Sequence, residues 1–570
     1  MAGTPHGAPR GRGIAMHGAR SESEGAQTSM PETPSSESEA SLRAAAAVEQ
    51  AVETLDPLGA GEHPSASGLG AAVGRGVAWS LVATGVGKGL SFASQIVLAW
   101  HLSKGDFGVY AIAMSVASIA FAFRDGGLWN VLIARGAREY ETIAGPIYWM
   151  GMVMAVVVGA LLAGAAPVVA WAYGDPRLTW LIVIIALSWP LSATCWVMRA
   201  KLVVDLRFRE FTACGIVAAV VRYGAMIAFA IAGFGPLSFV LPLLATAVAD
   251  TLTAYWFTRE RSWKRPPRLD LWRPLLSQSA WCIVGTLANA ALDMGIYLVM
   301  GVFSAQTEVG LYFFAYQLVA QTGALLAANV QGVLLPAMSR IQDDGARHRR
   351  AALRSLRALM LVSAPASVAL AVVFSPAETF IWNGKWAEAY WPVLALAAAY
   401  PLRAVFVVPQ TLETSRGRFK RSALMTLVTG VGLMVAGGVA AMISPHATFV
   451  SMVGGAYLCI ACTFWVLRAF RGIGVSAGSA LLATLPAWAI AIGSGACGAW
   501  SEHFLNMAGI APLPRAIAAG GVFAIVFAVA ARLLLHAAIV DLLRSLPLGL
   551  GPAIGRLVHI RWERMDKAGE

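Results

Sequence analysis

Fourteen apolar runs, each near the roughly 20 residues that cross a bilayer as a helix, decide what this chain can fold into. They fall at 77–100, 107–123, 143–173, 178–198, 211–233, 236–258, 274–302, 310–336, 355–376, 389–410, 422–443, 447–467, 474–499 and 514–540. In hydrocarbon only helices and closed barrels satisfy their own backbone. The runs are unbroken rather than alternating, so they predict helices and not barrel strands. With 58% hydrophobic and 13% charged residues, the balance lies far from that of a soluble domain. The expected fold is all-α and polytopic.

The basic residues orient these helices. Residues 71–570 hold 39 Lys and Arg, and one alternating set of connections, with Arg75 and the C-terminal tail, holds 31 of them. The other set holds four, Lys104, Arg177, Lys385 and Arg515, and four more lie within spans: Lys88, Arg222, Arg403 and Arg532. By the positive-inside rule both termini are expected in the cytoplasm. The net charge of +12 is then membrane-facing cytoplasmic surface, and no nucleic-acid partner is expected. The sparse-side loops are short, which leaves no room for an extracytoplasmic domain.

Residues 1–72 carry four Arg, no Lys and nine acidic residues without apolar periodicity. That composition predicts a disordered, dispensable cytoplasmic tail. No signal peptide is expected, since the first apolar run follows residue 71; Met16 and Met30 are alternative starts. Residues 546–570 form a basic tail. All six cysteines sit in apolar runs, which implies no disulfide framework.

The stretch 76–113 returns at 278–315. An ungapped offset of 202 residues aligns Ala78/Ala280, Trp79/Trp281, Val82/Val284, Val97/Val299, Gly108/Gly310, Tyr110/Tyr312 and Ala113/Ala315. Six helices separate the copies, so the repeat is parallel. It predicts two six-helix lobes, 73–272 and 273–470, followed by two further helices over 471–545. The first helix of each copy carries a polar stripe. Ser80, Thr84, Lys88, Ser91 and Gln95 share an arc of about 80° on a helix. Ser279, Thr286, Asn289, Asp293 and Tyr297 do the same. A charge at mid-bilayer costs at least ~2.5 kcal/mol, so such a stripe faces a bundle interior or a wet cavity. Lys88 and Asp293 either line that cavity or pair with each other. Arg222 and Asp250, on consecutive helices, either pair or bind. Arg403 follows Tyr400-Pro401, where proline frees a carbonyl and permits a bend. Arg532 is expected at a peripheral position.

Two motifs mislead. Gly85-Val-Gly-Lys88-Gly lacks the earlier glycine and the Ser/Thr of a phosphate loop. Cys459-Ile-Ala-Cys462 has no second pair or nearby histidine, and reads as small-residue helix packing. No catalytic constellation, metal cluster or cofactor is expected.

LSKGDFGVYAIA at 102–113, RDGGL at 124–128, RAKLVVDLRFRE at 199–210, LANAALDMGIYLVMGVFSAQTEVGLYFFAYQL at 287–318, LLPAMSRIQDD at 334–344, NGKWAEAYWPVLALA at 383–397 and GRFKRS at 417–422 carry a family resemblance. Over about 73–470 the chain resembles the Wzx-like oligosaccharide flippases of the MOP superfamily, which also contains the MATE transporters. The resemblance implies a non-enzymatic inner-membrane transporter in exopolysaccharide, capsule or lipopolysaccharide assembly. It would move a lipid-linked oligosaccharide, such as an undecaprenyl-diphosphate sugar, by alternating access between two lobes. Inner-membrane lipids and the polymerase and export machinery are the implied partners. Cations in the cavity would meet the diphosphate: Lys88 first, then Arg124 and Arg222. Ser91, Gln95, Asn289, Gln317 and Arg403 would line the path, and Asp250 or Asp293 would couple to protons or sodium. The chain departs from the family at Ser103-Lys-Gly-Asp106, where Ser-Pro-Glu-Asp is usual. It also has Ala290 opposite Lys88, so the two lobes are chemically unequal. The competing readings are a MATE-like cation antiporter and a membrane glycosyltransferase or polymerase.

Overall fold

The computed structural model describes residues 66–341 and 344–536, so the tail before residue 66 and the segment from 537 lie outside the described residues. Fifteen α-helices follow in order. The first six are α1 (Ala66–His101), α2 (Lys104–Asp125), α3 (Leu128–Ala172), α4 (Arg177–Val204), α5 (Phe208–Ile231) and α6 (Leu237–Thr258). After a linker come α7 (Trp272–Phe303), α8 (Gln306–Arg340), α9 (Gly345–Trp382), α10 (Tyr390–Val405), α11 (Val407–Ser415), α12 (Phe419–Ile443) and α13 (Ala447–Arg471). The last two are α14 (Ala477–Met507) and α15 (Pro512–Leu534).

Among the described residues the fourteen expected runs fall on helix, and twelve helical segments are long and apolar enough to cross a membrane. The expected runs 77–100 and 310–336 fall on α1 and α8, helices of 36 and 35 residues. Several bounds differ from the sequence expectation. α1 begins at Ala66 rather than near 77, so residues 66–72 are helical and not tail. α3 runs unbroken to Ala172 through Pro146 and Pro167. α9 starts at Gly345, ahead of the expected 355. Such extensions are polar turns, which hydropathy cannot register. The run 389–410 is split, and the interruption falls at Phe406 rather than at Pro401. Pro409 has no N–H for the Val405 carbonyl, and the ladder breaks there.

The packing repeats as the sequence does. α1 lies on α5, α3 on α4, α4 on α6 and α5 on α6. Their counterparts α7 on α12, α9 on α10, α10 on α13 and α12 on α13 also pack. The bundles meet where α2 crosses α8. A Cβ on Gly108 would overlap the Gln306 carbonyl, and one on Gly310 would overlap the Lys104 carbonyl. Lys104/Gln306 and Gly108/Gly310 are both related by the 202-residue offset, so the two copies touch across a local two-fold relation. Phe107, Tyr110, Tyr312, Phe313 and Phe314 are buried around this crossing. α14 and α15 pack together on α9.

Candidate functional site

One wall of the first bundle is open. A cavity of about 420 Å³ is lined by Thr84, Gly87 and Lys88 of α1, Arg199 of α4, Ala218, Ala219, Arg222 and Tyr223 of α5, and Thr246 and Asp250 of α6. The local sequence makes the opening. Cβ atoms added at Gly85, Gly87 or Gly89 would meet nothing within 4 Å, so this part of α1 faces empty space. Lys88 is half-buried and has no ion-pair partner among the described residues. Arg199 Nη1 donates to Asp250 Oδ2 at 3.0 Å, and Cys195 Sγ lies 3.5 Å from the same oxygen. Arg222 keeps a buried Nε without a hydrogen bond. Three cations thus face one carboxylate, and that carboxylate already has a partner.

Of the two readings open for Arg222 and Asp250, mutual pairing does not hold, because Asp250 pairs with Arg199. Arg199 had been counted among connection cations, because a helix extending past an apolar run looks like a loop in hydropathy. Its place on the final turns of a 28-residue helix was the missing signal.

The second bundle holds a different polar centre. Arg403 Nη2 donates to Asp293 Oδ1 at 2.9 Å, and the Tyr316 hydroxyl lies 3.4 Å from that oxygen. Asp293 thus pairs with Arg403 of α10 and not with Lys88. Tyr297, assigned to the polar stripe, is instead fully buried in the aromatic core, edge-on to Tyr312 at 5.7 Å. Asn289 is exposed and bonds its own helix at the Gly285 carbonyl. Gln317 is half-buried on α8. Ser91 and Gln95 do face the other bundle: Gln321 Nε2 donates to Ser91 Oγ at 3.1 Å and to Gln95 Oε1 at 3.2 Å.

Arg124 stands apart from the cavity. It is 5% exposed, lies 4.0 Å from the Trp196 ring centroid and donates to Ser192 Oγ at 2.8 Å. A guanidinium so enclosed by aromatic faces is held by cation–π attraction. Arg532 is exposed on α15.

At the end of the molecule away from the basic clusters, the bundles are clasped together. Lys104 Nζ meets Glu388 at 2.7 Å. Arg177 bridges Asp106 at 3.1 Å and Gln306 at 3.0 Å. Lys385 Nζ donates to the carbonyls of Trp100 and Leu102, while Trp382 and Trp386 donate to those of Ile96 and Ala99. Burial pushes the Asp175 carboxyl up, but hydrogen bonds from Arg177 outweigh it and hold the group below its usual range. Among the described residues no group of three His, Cys, Asp or Glu has metal-binding geometry.

Residues 97–391 match the family model described as polysaccharide biosynthesis protein. The succinoglycan biosynthesis transport protein ExoT of Rhizobium meliloti is 27% identical over 332 residues, 57% of this chain and 65% of that protein. The lipopolysaccharide biosynthesis protein WzxC of Escherichia coli is 25% identical over 327 residues, 56% of this chain and 65% of that protein. Each match thus spans just under two thirds of the relative's length. In fold, the chain is similar to the lipid II flippase MurJ in an inward closed conformation. That structure gives a TM-score of 0.63 at 11% identity, covering 80% of this chain and 100% of that one. An inward-facing MATE family multidrug transporter of the MOP superfamily gives 0.55 at 13% identity, covering 68% and 94%.

Proposed function

Because the chain belongs to the polysaccharide biosynthesis protein family, we propose that it flips a lipid-linked oligosaccharide, carried on undecaprenyl diphosphate, across the bacterial inner membrane. A polyprenyl tail is at home in lipid and a glycan head is not. A wet cavity with a lateral opening lets the head cross while the tail stays in the bilayer. The supporting observation is the charge imbalance at Lys88, Arg199 and Arg222 against a single paired Asp250. A diphosphate supplies the missing negative charge through charge-assisted hydrogen bonds.

In this reading 73–272 and 273–470 are the moving lobes, with both termini cytoplasmic and fourteen spans between them. The clasp at Lys104–Glu388 and Arg177–Gln306 closes the far side, so the cavity receives substrate from the cytoplasm. Asp293, held by Arg403, is the coupling carboxylate: neutralising it would free the arginine and release the side-chain tie between α7 and α10. No covalent step is assigned. A MATE-like antiporter for cationic drugs fits less well, since its cargo would enter a cavity already short of negative charge.

Depletion in a strain that makes surface polysaccharide tests the proposal. Lipid-linked repeat units should accumulate on the cytoplasmic leaflet while polymer export stops. Continued export with no accumulated intermediate would contradict it.

A further inference from the structure

The two bundles balance their charges differently at the basic end. In the first, the cations have acids: Glu260, 6% exposed, accepts from Lys201 at 3.3 Å and Arg265 at 3.0 Å. Arg265 also pairs with Glu141, Arg207 with Glu210 and Arg268 with Asp270. In the second, the described acids at that end are Asp344, which caps α9 and pairs with Arg347, and Glu413, which pairs with Arg418, so two acids face a larger set of arginines. The surplus is ordered. Arg347, Arg350, Arg354 and Arg357 are spaced to share an arc of about 80° on a helix. Their opposite face, His348, Ala352 and Leu356, is buried. Arg347, Arg350 and Arg354 are exposed, and Arg354 has no ion-pair partner among the described residues.

An acidic partner is already tethered nearby. Between 21 and 65 the chain carries nine acidic residues and one arginine. α1 and α9 finish together, since Trp382 at the end of α9 bonds the Ile96 carbonyl near the end of α1. They span 36 and 38 residues, so Ala66 and the arginine stripe emerge at the same end of the molecule. Random-coil statistics for 4 to 44 residues, counted from Ala66 back to Glu62 and Glu22, give a reach of roughly 10 to 36 Å. Tethering raises its local concentration toward the millimolar range. Weak individual ion pairs then act together.

We propose that the acidic stretch 21–65 docks on the arginine stripe of α9. The tether starts on α1, which walls the cavity, and ends on the second bundle. Docking therefore adds a contact between the start of α1 and the second bundle, at the end opposite the clasp. This inference rests on charge placement and chain connectivity, and stands apart from the transport reading.

The full chain tests it directly. A photo-crosslinking p-benzoylphenylalanine replaces Ser38, between Glu37 and Glu39, and the protein is placed in phosphatidylcholine nanodiscs. Adducts should map to the peptide 345–357. They should fall about tenfold or more in the Arg347→Gln/Arg350→Gln/Arg354→Gln variant, or when the nine tail acids become Asn and Gln. They should also fall in about 1 M salt, where the Debye length shrinks to about 3 Å. The tail variant alters no residue of the packed helices, so it decides the matter if the arginine variant does not accumulate. Adducts confined to other helices, or undiminished by either charge change, overturn the proposal. Adducts that vanish when phosphatidylglycerol is added assign the stripe to lipid headgroups and overturn it too.

Discussion

Lys88 faces a cavity with a neighbouring carboxylate already taken, and its prediction follows from that. Losing a charge-assisted bond to phosphate costs roughly 1.5–3 kcal/mol, so Lys88→Ala should cut export by about tenfold or more while the protein still accumulates. Lys88→Arg should keep part of the activity, since charge survives but shape and hydration change. The Lys88→Ala/Asp293→Ala double variant should not recover export, because Asp293 is bound to Arg403; a complementation assay separates these cases. Arg403→Ala leaves a polar centre with an unpaired carboxylate. It should lower the melting temperature in detergent by more than Arg403→Ala/Asp293→Asn does, the difference being about 1–2 kcal/mol after discounting for the 43% exposure of Asp293. At this scale the sequence was partly legible. A polar stripe at helical spacing located Lys88, Ser91 and Gln95. It misjudged Tyr297, since periodicity ranks a hydroxyl as polar wherever it points. It also left the partners of Asp250 and Asp293 open, because pairing depends on which helix packs alongside.

At the scale of elements, the α2–α8 crossing carries the most specific expectation. Gly108 and Gly310 touch the opposite backbone, so Gly108→Val or Gly310→Val should push the helices apart and sharply reduce stable, active protein. Gly89→Ala is the contrast. Nothing lies near its missing Cβ, and replacing a helical glycine typically gains about 0.5–1 kcal/mol. Membrane extraction and thermal melting of the three variants check this. The offset of 202 residues had already aligned the two glycines, so the repeat was readable before the contact. Helix ends were less so. The polar extensions of α1 and α9 carry no hydropathy signal, and the break at Phe406 depends on Pro409, one of three prolines in that run.

For the whole molecule, the alternation of basic residues predicts fourteen spans with both termini inside. A reporter fused after Glu570 should be active only in the cytoplasm, and a cysteine at Lys385 should label from outside. Labelling of Lys385→Cys only from the cytoplasmic side would sink this topology. The clasp gives a further expectation. Lys104→Glu should weaken export through loss of the Lys104–Glu388 contact, and adding Glu388→Lys should restore much of it. Because Arg177 holds Asp175 below the ordinary carboxylate range, its contribution is present above about pH 4. It is lost only as the pH falls through the lowered value. The sequence could not show the clasp, since Lys104, Arg177 and Lys385 looked like isolated loop cations. The account as a whole stands on transport of a lipid-linked glycan through the Lys88 cavity. Purified protein in liposomes, loaded on one leaflet with a fluorescent polyprenyl-diphosphate oligosaccharide, measures that directly. The account predicts appearance of the glycan on the opposite leaflet with wild-type protein and its loss with Lys88→Ala. Equal transfer by empty liposomes, wild type and Lys88→Ala would contradict it.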